Sequence, residues 1–359
     1  MAMEVEGSPL LPMYVSIASY SSPRGKNDLM EAEEPSRGGA LRSLFGDRPE
    51  LVALGVVGLI VAVLIAAEGL HDVAQSSLNG LTLGTVYALG AVGLTLVYGI
   101  LKLVNFAQGD FLTFGAYMAY LVNVTWGMPL AAAIFLAMAT TALLGLLSER
   151  LMWRPMRSKG AGLLQLLLMS IGLAFVIRSA IQWFWGTEIR TLDVNVTDSV
   201  SFLGLRIGET ELMVVVVGII VLLAVGAVVR FSLLGKRMRA LSDSLELAET
   251  SGIDTRRVIL FTWLFAGALA GLAGVLSGAL TNLRPELGFE LLLPIFAAVI
   301  LGGIGNPFGA LTAGLVLGMA IEWSTLLVEP RWKVTFGFVA LVIALIIRPQ
   351  GIFGQAKGV

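Results

Sequence analysis

The sequence predicts an all-α polytopic membrane protein, a bundle of about ten spans that includes short or half-length helices. Of its 359 residues, 57% are hydrophobic and only 14% are charged, and the mean hydropathy is +0.86. About a quarter of the residues of a soluble domain are charged. The apolar residues also come in long runs, which is typical of a chain that crosses a bilayer repeatedly.

Ten apolar segments are predicted to be spans or partial spans. A full span needs about 20 mostly apolar residues. In chain order the segments are 51–67, 78–100, 111–125, 130–148, 164–185, 212–229, 258–280, 291–304, 308–327 and 333–347. The third and eighth are short, and we interpret them as half-helices inside the bundle, where protein or a water-filled cavity can satisfy their backbone.

The basic residues predict the orientation, because Lys and Arg in short loops stay on the cytoplasmic side. They crowd the loop after the fourth segment and the loop after the sixth, whereas the loop 186–211 holds five acidic residues against two basic ones. Ten spans with both termini cytoplasmic satisfy all three loops.

The N-terminal residues 1–50 differ from the rest of the chain. They are rich in Ser, Pro and Gly and show little apolar periodicity, which predicts a disordered cytoplasmic tail. A secretory signal is not expected, since the first apolar run starts only at Leu51. The predicted membrane domain is 51–354.

Glycines at helical spacing predict close helix packing. In the seventh segment four of them fall on one face, namely Gly267, Gly271, Gly274 and Gly278. The pairs Gly80/Gly84, Gly305/Gly309 and Gly314/Gly318 have the small-xxx-small spacing of membrane helix contacts. Such a face serves either static packing or a surface on which helices slide.

Composition excludes several classes of site. The chain has no Cys and one His, so metal sites built on these ligands and thiol catalysis are not expected. No G-x-x-x-x-G-K-[ST] phosphate loop occurs, and Gly235-Lys236 is followed by Arg237. We therefore predict no enzyme activity, no cofactor bound directly and no ATP site of its own. A net charge of −1 argues against a nucleic-acid partner.

The segment 231–257 carries nine charges between two uncharged apolar runs. We interpret it as a cytoplasmic loop that docks on a partner, with a solvated connecting helix as the alternative. The residues expected to form its helical docking face are Leu241, Leu245 and Ala248, rimmed by Glu246 and Glu249, with Gly252 ending the helix.

Polar residues inside a membrane are costly and are functional candidates. Asn79, Thr85 and Tyr87 are predicted to line a substrate pathway, with hydrogen bonding between helices as the alternative. Arg178 and Glu322 lie at similar depth and are predicted to form a buried charge pair, with extension of both side chains to the interface as the alternative. Residues 105–110 are expected to shape a turn at the cytoplasmic end.

Several ordered motifs resemble LivH-type permeases, the membrane subunits of ABC importers for branched-chain amino acids. The matching segments are LNGLTLGTVYALGAVGLTLVYGILKLVNFAQGD (78–110), ERLMWRPMRS (149–158), GKRMRALSDSLELAETSGIDTRRV (235–258), AVILGGIGNPFGALTAGLVLG (298–318) and RPQGIFG (348–354). Together they cover most of residues 75–354, whereas residues 1–70 depart from the shorter family pattern.

The resemblance implies an ABC importer permease fold in a bacterial inner (plasma) membrane. It also implies a homologous second permease, cytoplasmic ABC ATPases that use the ATP, and an extracytoplasmic binding protein that delivers substrate. The segment 231–257 would then be the coupling loop. The implied cargo is a branched-chain or other neutral amino acid, with urea or short amides as the alternative. A secondary transporter or an intramembrane enzyme is disfavoured by the scarcity of buried acids and of catalytic constellations.

Overall fold

The structure, a computed structural model, describes residues 49–194, 198–202, 204–347 and 351. These residues contain thirteen α-helices and one antiparallel hairpin of two strands, β1 (Ser199–Phe202) and β2 (Leu205–Gly208). The helices are α1 (Pro49–Glu68), α2 (Leu70–Leu101), α3 (Gln108–Tyr120), α4 (Leu130–Ser148), α5 (Arg154–Ser158), α6 (Leu163–Trp185), α7 (Glu209–Phe231), α8 (Leu233–Asp243), α9 (Leu245–Thr250), α10 (Thr255–Leu280), α11 (Leu287–Gly302), α12 (Pro307–Leu327) and α13 (Lys333–Ile347).

The helical membrane bundle predicted from composition is confirmed. Ten of the described helices coincide with the ten predicted segments, and α4 and α13 begin and end at the predicted residues. Six of the described helices are long and apolar enough to cross a membrane: α2, α4 with its continuation to Ser158, α6, α7, α10 and α12. Residues 1–48 of the predicted tail and most of the 348–354 motif lie outside the described residues, and α1 begins at Pro49.

The loops gather at two ends of the bundle. Arg154, which follows α4, and Arg256 of α10 line one pocket at the end we call the basic end, which also carries α8 and α9. At the opposite end, the hairpin end, Gln75 donates to the carbonyl of Arg206 at 2.7 Å. There Asn123 Oδ1 also accepts from the backbone N–H of Asp193 at 2.8 Å. Loops predicted to share a side of the membrane therefore lie at the same end.

Helix α2 occupies the centre of the bundle and packs against α10 and α12, whereas α4, α6 and α7 are largely exposed. The contact between α2 and α12 depends on glycine. A Cβ placed on Gly84 would lie 2.8 Å from the carbonyl oxygen of Leu315, and one on Gly314 would lie 2.5 Å from the Cα of Ala88. The two helix backbones therefore touch without side chains between them.

The glycine face of α10 lies against two other helices. A Cβ on Gly267 would lie 2.6 Å from the Thr141 carbonyl oxygen of α4, and one on Gly271 would lie 2.8 Å from that of Ala137. Gly274 lies against the Leu112 carbonyl of α3 in the same way, whereas Gly278 makes only ordinary contacts with Leu283 and Ala116. The face thus fixes α3 and α4 to the central layer.

Helix α3 begins inside the bundle. After α2 ends, Lys102 adopts a left-handed φ of 52° and turns the chain back. A Cβ on Gly93 would lie 3.0 Å from Gln108 Nε2, so the side chain of the first α3 residue contacts α2 about two helical turns before the end of α2. The turn expected within residues 105–110 is present at Phe106 and Ala107. Asn105, Gln108 and Asp110 are buried, so its expected position at the end of the bundle is wrong.

Replacing Gly84 with alanine is expected to destabilise the fold by about 1–3 kcal/mol, because the new methyl group has no room against Leu315. The matched control is Gly172→Ala in α6, where a Cβ meets nothing within 4 Å. That control should be neutral or stabilising by about 0.5–1 kcal/mol, since glycine weakens a helix interior. Thermal unfolding of the purified protein in detergent measures both, and equal midpoints would contradict the packing.

Candidate functional site

The segment predicted to dock on a partner forms two helices. The expected single helix is wrong because Ser244 adopts an extended conformation (φ −156°, ψ 117°) between α8 and α9. Its hydroxyl accepts a hydrogen bond from the backbone N–H of Leu247 at 3.3 Å. Serine is a favourable N-cap because this bond satisfies a backbone donor that the helix leaves unpaired.

Gly252 ends α9. It has a φ of 78°, a conformation that side chains with a Cβ rarely adopt. The N–H of Ile253 donates to the Ala248 carbonyl at 3.1 Å, and that of Gly252 donates to the Glu249 carbonyl at 3.0 Å. This pair of bonds is a Schellman motif, which satisfies the last carbonyls of the helix.

The predicted docking face of Leu241, Leu245 and Ala248 is wrong. Leu241 is 2% exposed and Ala248 is also buried, so both pack into their own chain and only Leu245 is accessible. The prediction assumed one continuous helix, in which residue spacing decides which side chains share a face. The break at Ser244 divides that helix in two, so Leu241 and Ala248 no longer follow the same spacing. The exposed residues of this region that we define as the docking surface are Phe231, Leu233, Leu245, Glu246 and Leu247.

Lys102 connects the docking surface to the centre of the bundle. Lys102 Nζ donates to the Gly99 carbonyl of α2 at 2.7 Å and to the Ser242 carbonyl of α8 at 3.1 Å. A Cβ on Gly99 would lie 3.5 Å both from Ser242 Oγ and from the Gly305 carbonyl oxygen. The end of α8 therefore rests on the end of α2, next to the turn between α11 and α12.

Glu249 faces the beginning of α10 and takes no part in the docking surface. Its Oε1 accepts from the Thr255 hydroxyl at 2.9 Å. This bond ties α9 to α10 across the turn at Gly252. Both carboxylates of the predicted rim are therefore exposed, but Glu249 is bound to Thr255 and supports the loop.

A buried ion pair joins α3 and α6. Arg178 Nε donates to Asp110 Oδ1 at 3.0 Å and Arg178 Nη2 to Asp110 Oδ2 at 3.2 Å, with the two side chains 16% and 1% exposed. The guanidinium carbon also lies 4.8 Å from the ring centroid of Phe289 in α11. Two parallel hydrogen bonds orient both groups, which suits a pair withdrawn from water.

The predicted pairing of Arg178 with Glu322 is therefore wrong. Glu322 accepts a hydrogen bond from Lys333 at the start of α13. The position of each residue within its predicted span placed Arg178 and Glu322 at a similar depth in the membrane, but it did not show which residues surround them. The sequence prediction puts Asp110 in a turn at the cytoplasmic end, at a different depth from Arg178.

Other polar groups surround this pair. Thr113 Oγ1 accepts from the backbone N–H of Gly288 at 2.9 Å, and Ser170 Oγ accepts from that of Phe106 at 3.2 Å. Gln108 Nε2 is buried without a hydrogen-bond partner among the described residues. The cluster therefore joins α3, α6 and α11 well inside the bundle. Within the described part of the chain no group of three His, Asp or Glu side chains could hold a metal ion.

The residues predicted to line a pathway are not brought together. The Thr85 side chain packs on Gly218 of α7, and its hydroxyl donates to the Leu81 carbonyl at 2.7 Å. Asn79 is partly buried and accepts from Gln75 at 3.2 Å. Tyr87 is buried two residues after Thr85, and positions two apart on a helix point to different sides. Thr85 thus serves helix packing, the alternative that its sequence left open.

Comparison with known proteins gives one consistent group. The family model described as "Branched-chain amino acid transport system / permease component" matches residues 76–345. The LivH permease protein of Escherichia coli K12 is 32% identical over 298 residues, 79% of this chain and 96% of the relative. BraD of Pseudomonas aeruginosa is 30% identical with the same coverage. LivM of E. coli K12 is 26% identical over 329 residues, 83% of this chain and 75% of the relative.

Removing one partner of the Asp110–Arg178 pair is expected to destabilise the protein by about 3–5 kcal/mol, because the other charge is left buried. Asp110→Asn and Arg178→Met should each lower the midpoint of thermal unfolding, and the double variant should recover much of the loss. Arg284→Gln, which breaks an exposed pair with Glu290, is the control and should cost under about 1 kcal/mol.

The corrected pairing has a second consequence for the same measurement. Glu322→Gln combined with Arg178→Met should show additive losses within about 0.5 kcal/mol, as sites without shared contacts do. Strong coupling of Arg178 to Glu322, or a double Asp110/Arg178 variant that loses the sum of the single losses, would contradict the assignment.

Proposed function

This chain belongs to the family of branched-chain amino acid transport system permease components, and from that premise we propose that it is the membrane subunit of an ATP-driven amino-acid importer. The family match carries the proposal, because it extends from α2 to α13 and includes the docking surface. The chain is a multi-pass membrane protein. Its proposed cargo is a branched-chain or other neutral amino acid.

The proposed energy source is a separate cytoplasmic ABC ATPase. The 359-residue sequence has no phosphate-binding loop of the G-x-x-x-x-G-K-[ST] type, so ATP would be used by the partner and no cofactor by this chain. Relatives of both the LivH and the LivM kind support a homologous second permease. An extracytoplasmic binding protein would deliver the substrate at the hairpin end, and both termini would be cytoplasmic.

The docking surface is the proposed point at which the ATPase acts. Its exposed leucines and Phe231 lie beside Lys236 and Arg237, so an apolar contact would be surrounded by charge. A displacement of α8 would reach α2 through the hydrogen bond from Lys102 to Ser242. It would reach the turn before α12 through the contact of Gly99 with Gly305.

Alternating access would use the glycine contacts of the central layer. Between α2 and α12 the backbones touch at Gly84 and Gly318 with no long side chain interlocked between them. A short shift of one helix along the other therefore disturbs few side-chain contacts. For the α2–α12 contact, this arrangement supports the sliding role rather than static packing.

Uptake measurements test the proposed function directly. A strain that lacks this chain should lose the uptake of labelled leucine or another neutral amino acid, and the cloned chain should restore it. The affinity-tagged protein should copurify with a homologous permease and an ABC ATPase. Restoration of urea uptake alone would overturn the cargo, and full uptake without any ATPase would overturn the mechanism.

Leu247→Glu is expected to weaken ATPase copurification about tenfold or more and to reduce uptake, because Leu247 is 68% exposed on the docking surface. The free energy of unfolding should change by only about 0.5 kcal/mol, as for other surface substitutions. Ile189→Glu, which is equally exposed at the hairpin end, should leave copurification unchanged.

Leu241→Glu separates docking from folding in the same experiment. Because Leu241 is buried, this variant should lower the midpoint of thermal unfolding and the yield of folded protein. Normal ATPase copurification by Leu247→Glu, or an equal loss in Ile189→Glu, would refute the assignment of the docking surface.

A further inference from the structure

A pocket at the basic end lies outside the docking surface. It forms where the continuation of α4, helix α5 and the first turns of α10 meet. We call it the basic pocket, and the residues of its wall that the argument uses are Arg150, Arg154, Arg157, Arg256, Ile259 and Leu260. Its wall includes four residues of the ERLMWRPMRS motif, which the docking surface and the glycine contacts do not explain.

The charges of the basic pocket are not balanced. Its one carboxylate, Glu149, is buried and accepts from both terminal nitrogens of Arg157, with Nη1 3.2 Å from Oε2. The nearby Asp254 pairs with Arg257 at 2.8 Å. Arg150, Arg154 and Arg256 are exposed and form no ion pair among the residues that the structure describes. The wall therefore presents three uncompensated positive charges.

Rigid neighbours fix the two backbone segments that carry these arginines. The chain from Glu149 to Trp153 forms a π-helical turn between α4 and α5, a rare conformation that is frequent at functional sites. Trp153 at its end is buried and stacks on Trp263 of α10, with ring centroids 5.8 Å apart and planes within 13°. The two sides of the basic pocket are thus fixed to each other.

The surroundings of the basic pocket are apolar as well as basic. Ile259 and Leu260 line it on the membrane side of α10. Leu151 on the π-helical turn is 75% exposed, and Leu147 one turn earlier is also exposed. A ligand that satisfies both features carries a phosphate on an apolar body, since arginine binds phosphate through parallel hydrogen bonds.

We propose that the basic pocket binds the phosphate of an anionic phospholipid headgroup, with the lipid chains against the adjacent apolar helix surface. Its position at the ends of two membrane-spanning helices places it where headgroups lie. A free phosphate would use only the arginines and would leave the apolar wall without a partner. The bound lipid would join the ends of α4 and α10 independently of the docking surface.

Lipid titration of the full chain in non-ionic detergent, followed by native mass spectrometry, tests the proposal. Phosphatidylglycerol should bind at least about tenfold more tightly than phosphatidylcholine with the same acyl chains. The variant Arg150→Gln/Arg154→Gln/Arg256→Gln should weaken phosphatidylglycerol binding on the order of a hundredfold. The matched control Lys159→Gln/Lys236→Gln/Arg237→Gln removes three exposed charges at the same end. It should change the affinity for phosphatidylglycerol less than about twofold.

Two further measurements complete the test. One distinguishes lipid phosphate from free phosphate, and the other covers the case in which the triple variant does not fold. Inorganic phosphate and glycerol phosphate should fail to displace the lipid, and displacement by either would overturn the lipid assignment. Arg256→Gln alone should reduce binding about fivefold if the triple variant does not fold. Equal losses in the pocket and control variants would overturn the site. No ATPase or substrate is present, so failure here is distinct from failure of the transport proposal.

Discussion

Close contact between helix backbones is the constraint on which this bundle depends. Helices in lipid gain no hydrophobic free energy by associating, so they associate through dispersion contacts that require small residues. Gly84 and Gly318 bring α2 to α12, and Gly267 and Gly271 bring α10 to α4. These contacts leave α2 enclosed at the centre, where its position decides where every neighbouring helix can lie.

The buried polar cluster is a consequence of that enclosed centre. Lys102 turns the chain back into the bundle, and α3 starts beside Gly93 with its backbone covered by other helices. Irregular backbone at this depth is tolerated only where protein or water satisfies it. The side chains of Asn105 and Ser170 supply part of that satisfaction, and Arg178 balances the charge that Asp110 brings inside.

The basic end combines two surfaces of different chemistry. The docking surface is apolar and connects to α2 through Lys102 and Ser242, which suits transmission of a movement. The basic pocket is instead fixed by the stacked Trp153 and Trp263 and offers three guanidinium groups that pair with no carboxylate of the described residues, which suits a stationary attachment. Under the two proposals, α8 would transmit the movement while a bound lipid holds the ends of α4 and α10.

The sequence by itself determined the ten apolar helices and the ends to which their loops belong, because hydropathy and charge act locally along the chain. It also identified the glycine faces, since helical spacing alone puts Gly267 and Gly271 on one side. Tertiary structure decided the partner of Arg178 and the burial of Leu241. Both depend on distant contacts: α3 starts inside the bundle, and the N-cap at Ser244 ends the helical spacing. Arg178 pairs with a residue 68 positions away, and Leu241 is buried by other helices. Both depend on which helices meet, and the periodicity along one helix does not contain that information.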